Sequence, residues 1–303
     1  GASRGRKTRV LMVDLLVERA AFGHGGNQEV VRPFAARGDV ELLLVTPQMQ
    51  SFEAGTKSES GEVALSEEDV PLWDDEFPFW QSTSVELEGR EVSFRRIVMP
   101  MHDDDTRMGE WLEELGVDAV VCSGSRRNVS MWEDWMDPTA SLIRTSALSG
   151  MPTLGICFGH QLLCHSLGAS VERADSMSSG VWELALNSHG SSDELFATRG
   201  SGEGGAPVAL YSHQDHVTTV PESCLLLGSA EHNRVTAVRV MDERGLELPA
   251  WGVQFHPEAA KARVERAFDW GHISEKEMVA FQREHDGAEV LNSFASVIHA
   301  NIG

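Results

Sequence analysis

Short apolar runs alternate with amphipathic stretches along the first half of the chain. Val10 to Val13 opens the series, and Val40 to Val45, "VELLLV", repeats it. A strand buried on both faces in a parallel sheet reads this way. Ile97 to Met99, Val117 to Cys122 and Thr153 to Cys157 predict three further strands. Between them, helical spacing runs from about Gln28 to Arg37, Arg107 to Leu115, Pro138 to Leu148 and Phe158 to Leu167, the last ended by Gly168. Gly23-His24-Gly25-Gly26-Asn27 reads as a glycine-rich turn ahead of the first helix. This alternation predicts an α/β domain built on a mainly parallel sheet. Beyond Gly180 the pattern changes to strands linked by turns: "VWELAL", "VALYS", "LLLGSA", "TAVRVM" and "AWGVQF". They predict a partly antiparallel extension that returns to the sheet, and a helix from about Ala288 to His299 closes the chain.

One stretch breaks the rhythm. Residues 47–95 carry twelve acids against Lys57, Arg90 and Arg95. The first half is rich in Ser, Gly and Glu and reads as a flexible surface excursion. The second half holds Trp73, Phe77, Phe79 and Trp80, which predicts an aromatic anchor on the surface or an arm over a site. The expected organisation is a single domain over residues 1–303, with an acidic insertion at about 47–95 and a C-terminal helical segment at about 259–303.

The chemistry is concentrated in two short segments. In Gly155-Ile156-Cys157-Phe158-Gly159-His160-Gln161 a strand runs straight into a helix, with a cysteine at the junction and a glycine two residues to either side. This is the cysteine form of the G-x-S-x-G nucleophile elbow, in which a strained turn presents the nucleophile outward. The helix N-terminus behind the sulfur favours the thiolate. In Gly252-Val253-Gln254-Phe255-His256-Pro257-Glu258 an apolar strand ends in a histidine and a carboxylate. A cysteine nucleophile needs a base that takes its proton and returns one to the leaving group; a carboxylate on the far ring nitrogen fixes the tautomer of that base. Cys157, His256 and Glu258 are therefore the candidate catalytic set.

On these two segments the sequence resembles the class I (triad) glutamine amidotransferases, in particular the GMP-synthetase-like and stand-alone branches. Their G-x-C-x-G-x-Q elbow and later G-V-Q-F-H-P-E occur here at Gly155–Gln161 and Gly252–Glu258, in the expected order. The resemblance runs from about Val117 to Glu258. It implies a flavodoxin-like, doubly wound sheet and a γ-glutamyl thioester on Cys157. Ser123-Gly124-Ser125-Arg126 stands where the family commonly has S-G-G-P, so the resemblance makes Gly124 and Ser125, with Phe158, the oxyanion-hole donors. Ser125 and Arg126 depart from the family's Gly and Pro; this Ser-Gly-Ser version is similar to that of γ-glutamyl peptidases. Tyr211-Ser212-His213-Gln214-Asp215 resembles the S-H-G-D loop whose backbone holds the substrate's α-amino and carboxylate groups, which assigns Ser212 and His213, with Gln161, to substrate binding.

Composition narrows the rest. The net charge of −22 disfavours nucleic acid and anionic membrane surfaces as partners. The only lysines are Lys7, Lys57, Lys261 and Lys276. No apolar run approaches the roughly 20 residues that span a bilayer, and no signal-peptide pattern opens the sequence, so a cytoplasmic protein is expected. Cys122, Cys164 and Cys224 read as small buried apolar residues. His213-x-x-His216 with Asp215 lacks a further metal ligand, and His102-Asp103-Asp104-Asp105 reads as a helix cap. Neither a P-loop nor an S-G-G-x-D-S motif is present, since Ser125 is followed by Arg126-Arg127-Asn128. No cofactor, nucleotide or metal is expected. About 45 residues follow Glu258, fewer than a synthetase domain needs. The leading expectation is hydrolysis of the glutamine γ-amide, with ammonia released to a separate acceptor enzyme. A γ-glutamyl peptidase-like hydrolase and a non-catalytic regulatory module are the alternatives.

Overall fold

The computed structural model describes residues 6–59, 63 and 83–302. The strands are β1 (Thr8–Val13), β2 (Val40–Val45), β3 (Thr83–Leu87), β4 (Arg90–Arg96), β5 (Ala119–Cys122), β6 (Thr153–Ile156), β7 (Val171–Glu183), β8 (Ala185–Leu186), β9 (Val208–Val217), β10 (Cys224–Ala230), β11 (Asn233–Met241) and β12 (Glu247–Val253). The helices are α1 (Ala20–Ala35), α2 (Phe52–Ser58), α3 (Asp105–Leu115), α4 (Met136–Leu148), α5 (Phe158–Ser166), α6 (Ser188–Ser191), α7 (Lys261–Asp269), α8 (Glu275–Ala280) and α9 (Gly287–Ile302). The main sheet runs β3-β4-β2-β1-β5-β6-β12-β11-β10-β8, and β7 with β9 forms a separate antiparallel ribbon. Strands β4, β2, β1, β5, β6 and β12 are mutually parallel; β3 at one edge and β11, β10 and β8 at the other are antiparallel. This is the flavodoxin-like α/β class with its antiparallel extension.

Alternation of side chains across the strands divides the core in two. Val10, Met12, Val121 and Ile156 meet Val31 and Phe34 of α1 and Leu291 and Phe294 of α9 on one face. Leu11, Val13, Val120 and Cys122 meet Trp111 of α3, Ile143 of α4 and Leu162 of α5 on the other. Three layers result, and the register brings the carboxyl ends of the central strands to one edge: Val13 pairs with Cys122, Cys122 with Gly155, and Val253 with Ile156. In open α/β sheets that edge is where ligands bind.

Three elements differ from the reading of the hydrophobic pattern. The expected turn at Gly23–Asn27 is helical, because α1 begins at Ala20. Its glycines answer to close packing instead: a Cβ on Gly23 would lie 2.8 Å from the Leu16 carbonyl oxygen, and one on Gly26 3.4 Å from Cγ of Glu258. The strand expected at Ile97–Met99 lies earlier, at Arg90–Arg96. Its charges had masked it: Arg95 pairs with Glu41 and Arg90 with Asp39, whereas Arg96 turns inward to Asp14 at 2.6 Å, both side chains 3 % exposed. The ribbon strand β7 begins at Val171, well before "VWELAL". The cap reading of 102–105 is matched by Asp104, whose side chain accepts the Arg107 N–H at the start of α3. The aromatic stretch Trp73–Trp80 lies outside the described residues.

Candidate active site

The elbow is built from the ends of β6 and α5. Cys157 joins them with φ 52° and ψ −101°, one of two non-glycine residues at positive φ among those described. Such a backbone costs about 1–3 kcal/mol and persists only where its surroundings hold it. Here its N–H donates to the Val253 carbonyl at 2.8 Å and its carbonyl accepts from Gln161 N–H at 3.0 Å. The flanking glycines leave the space the turn requires: a Cβ on Gly155 would meet the Gly159 carbonyl oxygen at 2.6 Å, and one on Gly159 the Cys122 carbonyl oxygen at 2.4 Å.

Strand β12, adjacent to β6, ends at Val253 and delivers the second segment. Backbone bonds from Gln254 to the Thr236 carbonyl (2.9 Å) and from His256 to the Leu210 carbonyl (2.8 Å) fix its path. His256 Nδ1 and Glu258 Oε1 are 2.6 Å apart, which leaves Nε2 free of that carboxylate. Burial opposes the imidazolium, but the charges of Cys157 and Glu258 and the hydrogen bond to Glu258 outweigh it. The histidine is held well above its ordinary range. An imidazole held in this way is suited to accept a proton.

The remaining candidates surround the sulfur. Gly124 lies between nucleophile and base: a Cβ there would be 2.9 Å from Cε1 of His256 and 3.8 Å from Cβ of Cys157. Its loop is anchored by Ser123, whose Oγ accepts from Leu15 N–H and donates to the Gly124 carbonyl, both at 2.9 Å. Ser125 Oγ accepts from Arg127 N–H at 3.0 Å. Phe158 is the first residue of α5, so its N–H has no acceptor within the helix; its ring stacks on Trp135 at 5.8 Å. The carbonyl of Ser212 is 3.7 Å from Cys157 Sγ. Gln161 Nε2 donates to the Asp215 carbonyl (2.8 Å) and to Gln254 Oε1 (3.1 Å). The His213 side chain turns inward, with Nδ1 at 2.8 Å from the Asp215 carbonyl and Nε2 at 2.9 Å from His232 Nε2. Burial above all pushes His213 down to about 3, and both ring nitrogens are taken up by these two partners. All nine candidates line one cavity of about 480 Å³.

Four features of this wall were not legible beforehand. Gln254 Nε2 donates to Cys157 Sγ at 3.5 Å. Asp215 receives both the N–H (2.8 Å) and the Oγ–H (2.6 Å) of Ser130, tying the ribbon to the loop after β5. Asn27 Nδ2 and Glu258 Oε2 are buried in this wall with no hydrogen-bond partner among the described residues. Only the alternation of Gln254 with His256 along the strand end was a usable signal. Cys122, Cys164 and Cys224 are buried, and desolvation raises all three thiols, Cys224 to about 12. Among the described residues no group of three His, Cys, Asp or Glu side chains could hold a metal ion, and no helix is long and apolar enough to cross a membrane.

A cysteine, a histidine and a glutamate at the carboxyl edge of a three-layer, mainly parallel sheet define the α/β proteins with a cysteine elbow. The chain belongs to one family within that class, the glutamine amidotransferases of class I, whose family model matches residues 82–268. It is 40% identical over 143 residues to a GMP synthase (glutamine-hydrolysing) of Thermus thermophilus, which covers 47% of this chain and 25% of that protein. A GMP synthase of Clostridium kluyveri is 38% identical over 109 residues, 36% of this chain and 19% of that protein. The chain thus spans a quarter or less of the length of these two curated relatives. The fold matches a crystal structure of a glutamine amidotransferase from Thermotoga maritima, with TM-score 0.55 and 17% identity over 97% of this chain and 98% of that one.

Proposed function

We propose that the protein hydrolyses the γ-amide of glutamine through a γ-glutamyl thioester on Cys157 and releases ammonia to a separate acceptor enzyme. The observation that carries this reading is the 2.6 Å contact of Glu258 with His256, with Gly124 packed against both His256 and Cys157, on the ends of adjacent strands. His256 takes the thiol proton as Sγ attacks the γ-carbonyl. The oxyanion is met by N–H groups of the Gly124–Ser125 loop and of Phe158. The imidazolium returns its proton to the leaving nitrogen, the C–N bond breaks, and ammonia departs. A water activated by the same imidazole then cleaves the thioester to glutamate and restores the thiol. Backbone groups of Ser212 and His213 hold the α-amino and carboxylate groups, with Gln161 and Asp215 fixing that strand from behind.

The test is glutamate and ammonia release from glutamine by the wild-type chain and by Cys157→Ser, together with a mass shift on Cys157 from a glutamine-like diazo-ketone. Equal molar release of both products, lost in the variant, supports the reading. Turnover in Cys157→Ser above about a tenth of wild type would end it, because loss of a nucleophile costs orders of magnitude.

A further inference from the structure

The sulfur of Cys157 has a polar partner inside the protein. Gln254 follows the last residue of β12 and is 0 % exposed, so it meets the sulfur but offers no atom to the cavity. Its side-chain nitrogen lies 3.5 Å from Sγ, while the Ser212 carbonyl stands 3.7 Å from the same atom. Burying a primary amide is costly unless its polar atoms are bonded. A run of hydrogen bonds decides which end of this one faces the sulfur. The Asp215 carbonyl can only accept, so the Gln161 atom 2.8 Å from it is the NH2 group. The second hydrogen of that group goes to Gln254 at 3.1 Å, and the atom receiving it must be Oε1. The other end of the Gln254 amide, at the sulfur, is therefore an N–H donor. Reversed, it would set an oxygen against a thiolate. The start of the run is itself anchored. The Asp215 carbonyl also accepts from His213 Nδ1 at 2.8 Å, and its carboxylate accepts the Ser130 N–H and Oγ–H at 2.8 and 2.6 Å. Gln161 and Asp215 are buried, which keeps water from competing for these bonds.

We propose that Gln254 is a catalytic residue whose side-chain amide donates to the Cys157 thiolate, holding that charge before attack and again as sulfur leaves the thioester. The inference rests on the Cys157 chemistry proposed above. A thiol sulfur accepts weakly, whereas a hydrogen bond to an ionised acceptor is about twice as strong as one between neutral groups. A bond that strengthens with charge favours the charged form. In the second half-reaction the water oxygen bonds to the thioester carbon and the C–S bond breaks, its electron pair passing to sulfur. The water proton reaches that sulfur through His256, and the Gln254 N–H meets the pair as it arrives. No other reactant is needed. The donor leaves a signature that a merely structural residue does not. A thiolate held by a donor is more abundant but less nucleophilic, with a Brønsted coefficient of about 0.4–0.5.

The experiment follows exchange of Cys157 with methyl methanethiosulfonate in the full chain, from acid to alkaline pH, with the modified residue located by peptide mass. Wild type is compared with Gln254→Met and Gln254→Asn, each checked by a thermal melt. Methionine removes the donor at similar length. Asparagine keeps a buried amide but withdraws it from the sulfur by one carbon, and it decides the matter where the methionine variant does not fold. The variants are expected to be about 3- to 10-fold slower than wild type at the acid end and faster by about the same factor on the alkaline plateau. The profiles therefore cross. Profiles that coincide, or that differ by one constant factor at every pH, overturn the inference. Glutamate release from glutamine is measured on the same preparations. If wild type releases none, the Cys157 reading fails and the catalytic role of Gln254 falls with it. If wild type releases glutamate and the profiles do not cross, only the Gln254 assignment falls.

Discussion

Gly124→Ala adds one carbon between the nucleophile and its base. The new Cβ would lie 2.9 Å from Cε1 of His256 and 3.6 Å from its Nδ1. Carbon atoms settle at about 3.5–4.0 Å, so the imidazole or the loop must give by about 0.5–1 Å. His256 cannot swing freely, because Glu258 holds Nδ1 at 2.6 Å and its own N–H is bonded to Leu210. A misplacement of about 1 Å at reacting groups costs on the order of 10²-fold. The expected kcat/KM on glutamine is therefore about 10- to 100-fold below wild type. Alanine keeps the backbone N–H, so the loss reports the displaced base rather than a missing oxyanion donor. Stability should hardly change: replacing glycine contributes about 0.4–1 kcal/mol through the unfolded chain, which offsets part of the crowding. The assay is steady-state glutamate release beside a thermal melt, with Tm expected within about 4 °C of wild type. A folded variant with kcat/KM within about threefold of wild type would refute the view that this contact sets the distance between thiol and imidazole.

Glu258→Gln should weaken kcat/KM less than His256→Ala, since the carboxylate orients the imidazole whereas the imidazole moves protons in both half-reactions; equal or reversed losses, with folding confirmed, would contradict this division. A small alkylating reagent should modify Cys157, which lines the cavity, well ahead of Cys122, Cys164 and Cys224, which do not and whose thiols desolvation raises; peptide mapping after partial reaction decides it. His160 is fully buried, and its pKa is pushed down to about 4, mainly by desolvation. Between pH 6.5 and 4 the unfolded chain binds a proton that the folded chain refuses, so stability falls as pH is lowered through that window, by about 1.4 kcal/mol per pH unit for each such histidine. His24 and His232 are shifted the same way and His256 the opposite way. Urea midpoints across this range should show a shallower slope in His160→Gln, and an unchanged slope would exclude His160 from the acid sensitivity.

The hydrophobic pattern was most informative where burial is symmetrical. "VELLLV" is a strand with the bounds its apolar run suggested, because both faces of β2 are covered by helices. It failed where charges pair along a strand near the edge of the sheet, as Arg95 does with Glu41, and where polar residues lie on both faces of a ribbon that stands off the sheet, as in β7. Glycine misled in α1, since a glycine needed for close approach and one needed for a turn are written alike. The elbow and the His-Pro-Glu segment could be read because their chemistry is local to a few residues. The Gln254 contact to sulfur and the Asp215 clamp on Ser130 could not, because each joins segments far apart in the chain, and neither could the burial of the Asn27 amide, which depends on how the layers close.

The pairing of β6 with β12 has a mechanical corollary. Cys157 and His256 both follow the last rung of a single ladder, Val253 opposite Ile156, so any shear of the sheet carries both together. The ribbon of β7 and β9 stands apart from that ladder as its own antiparallel pair, packed on the core through Tyr211 and Val217 and bonded to the site through Leu210 to His256 and Asp215 to Gln161 and Ser130. The sheet edge thereby carries Cys157 and His256, and the ribbon carries the Ser212 carbonyl that faces the sulfur. A force or ligand that tilts the ribbon therefore reaches the imidazole through the Leu210 bond and the sulfur through the Ser212 carbonyl, without shifting the ladder that carries them.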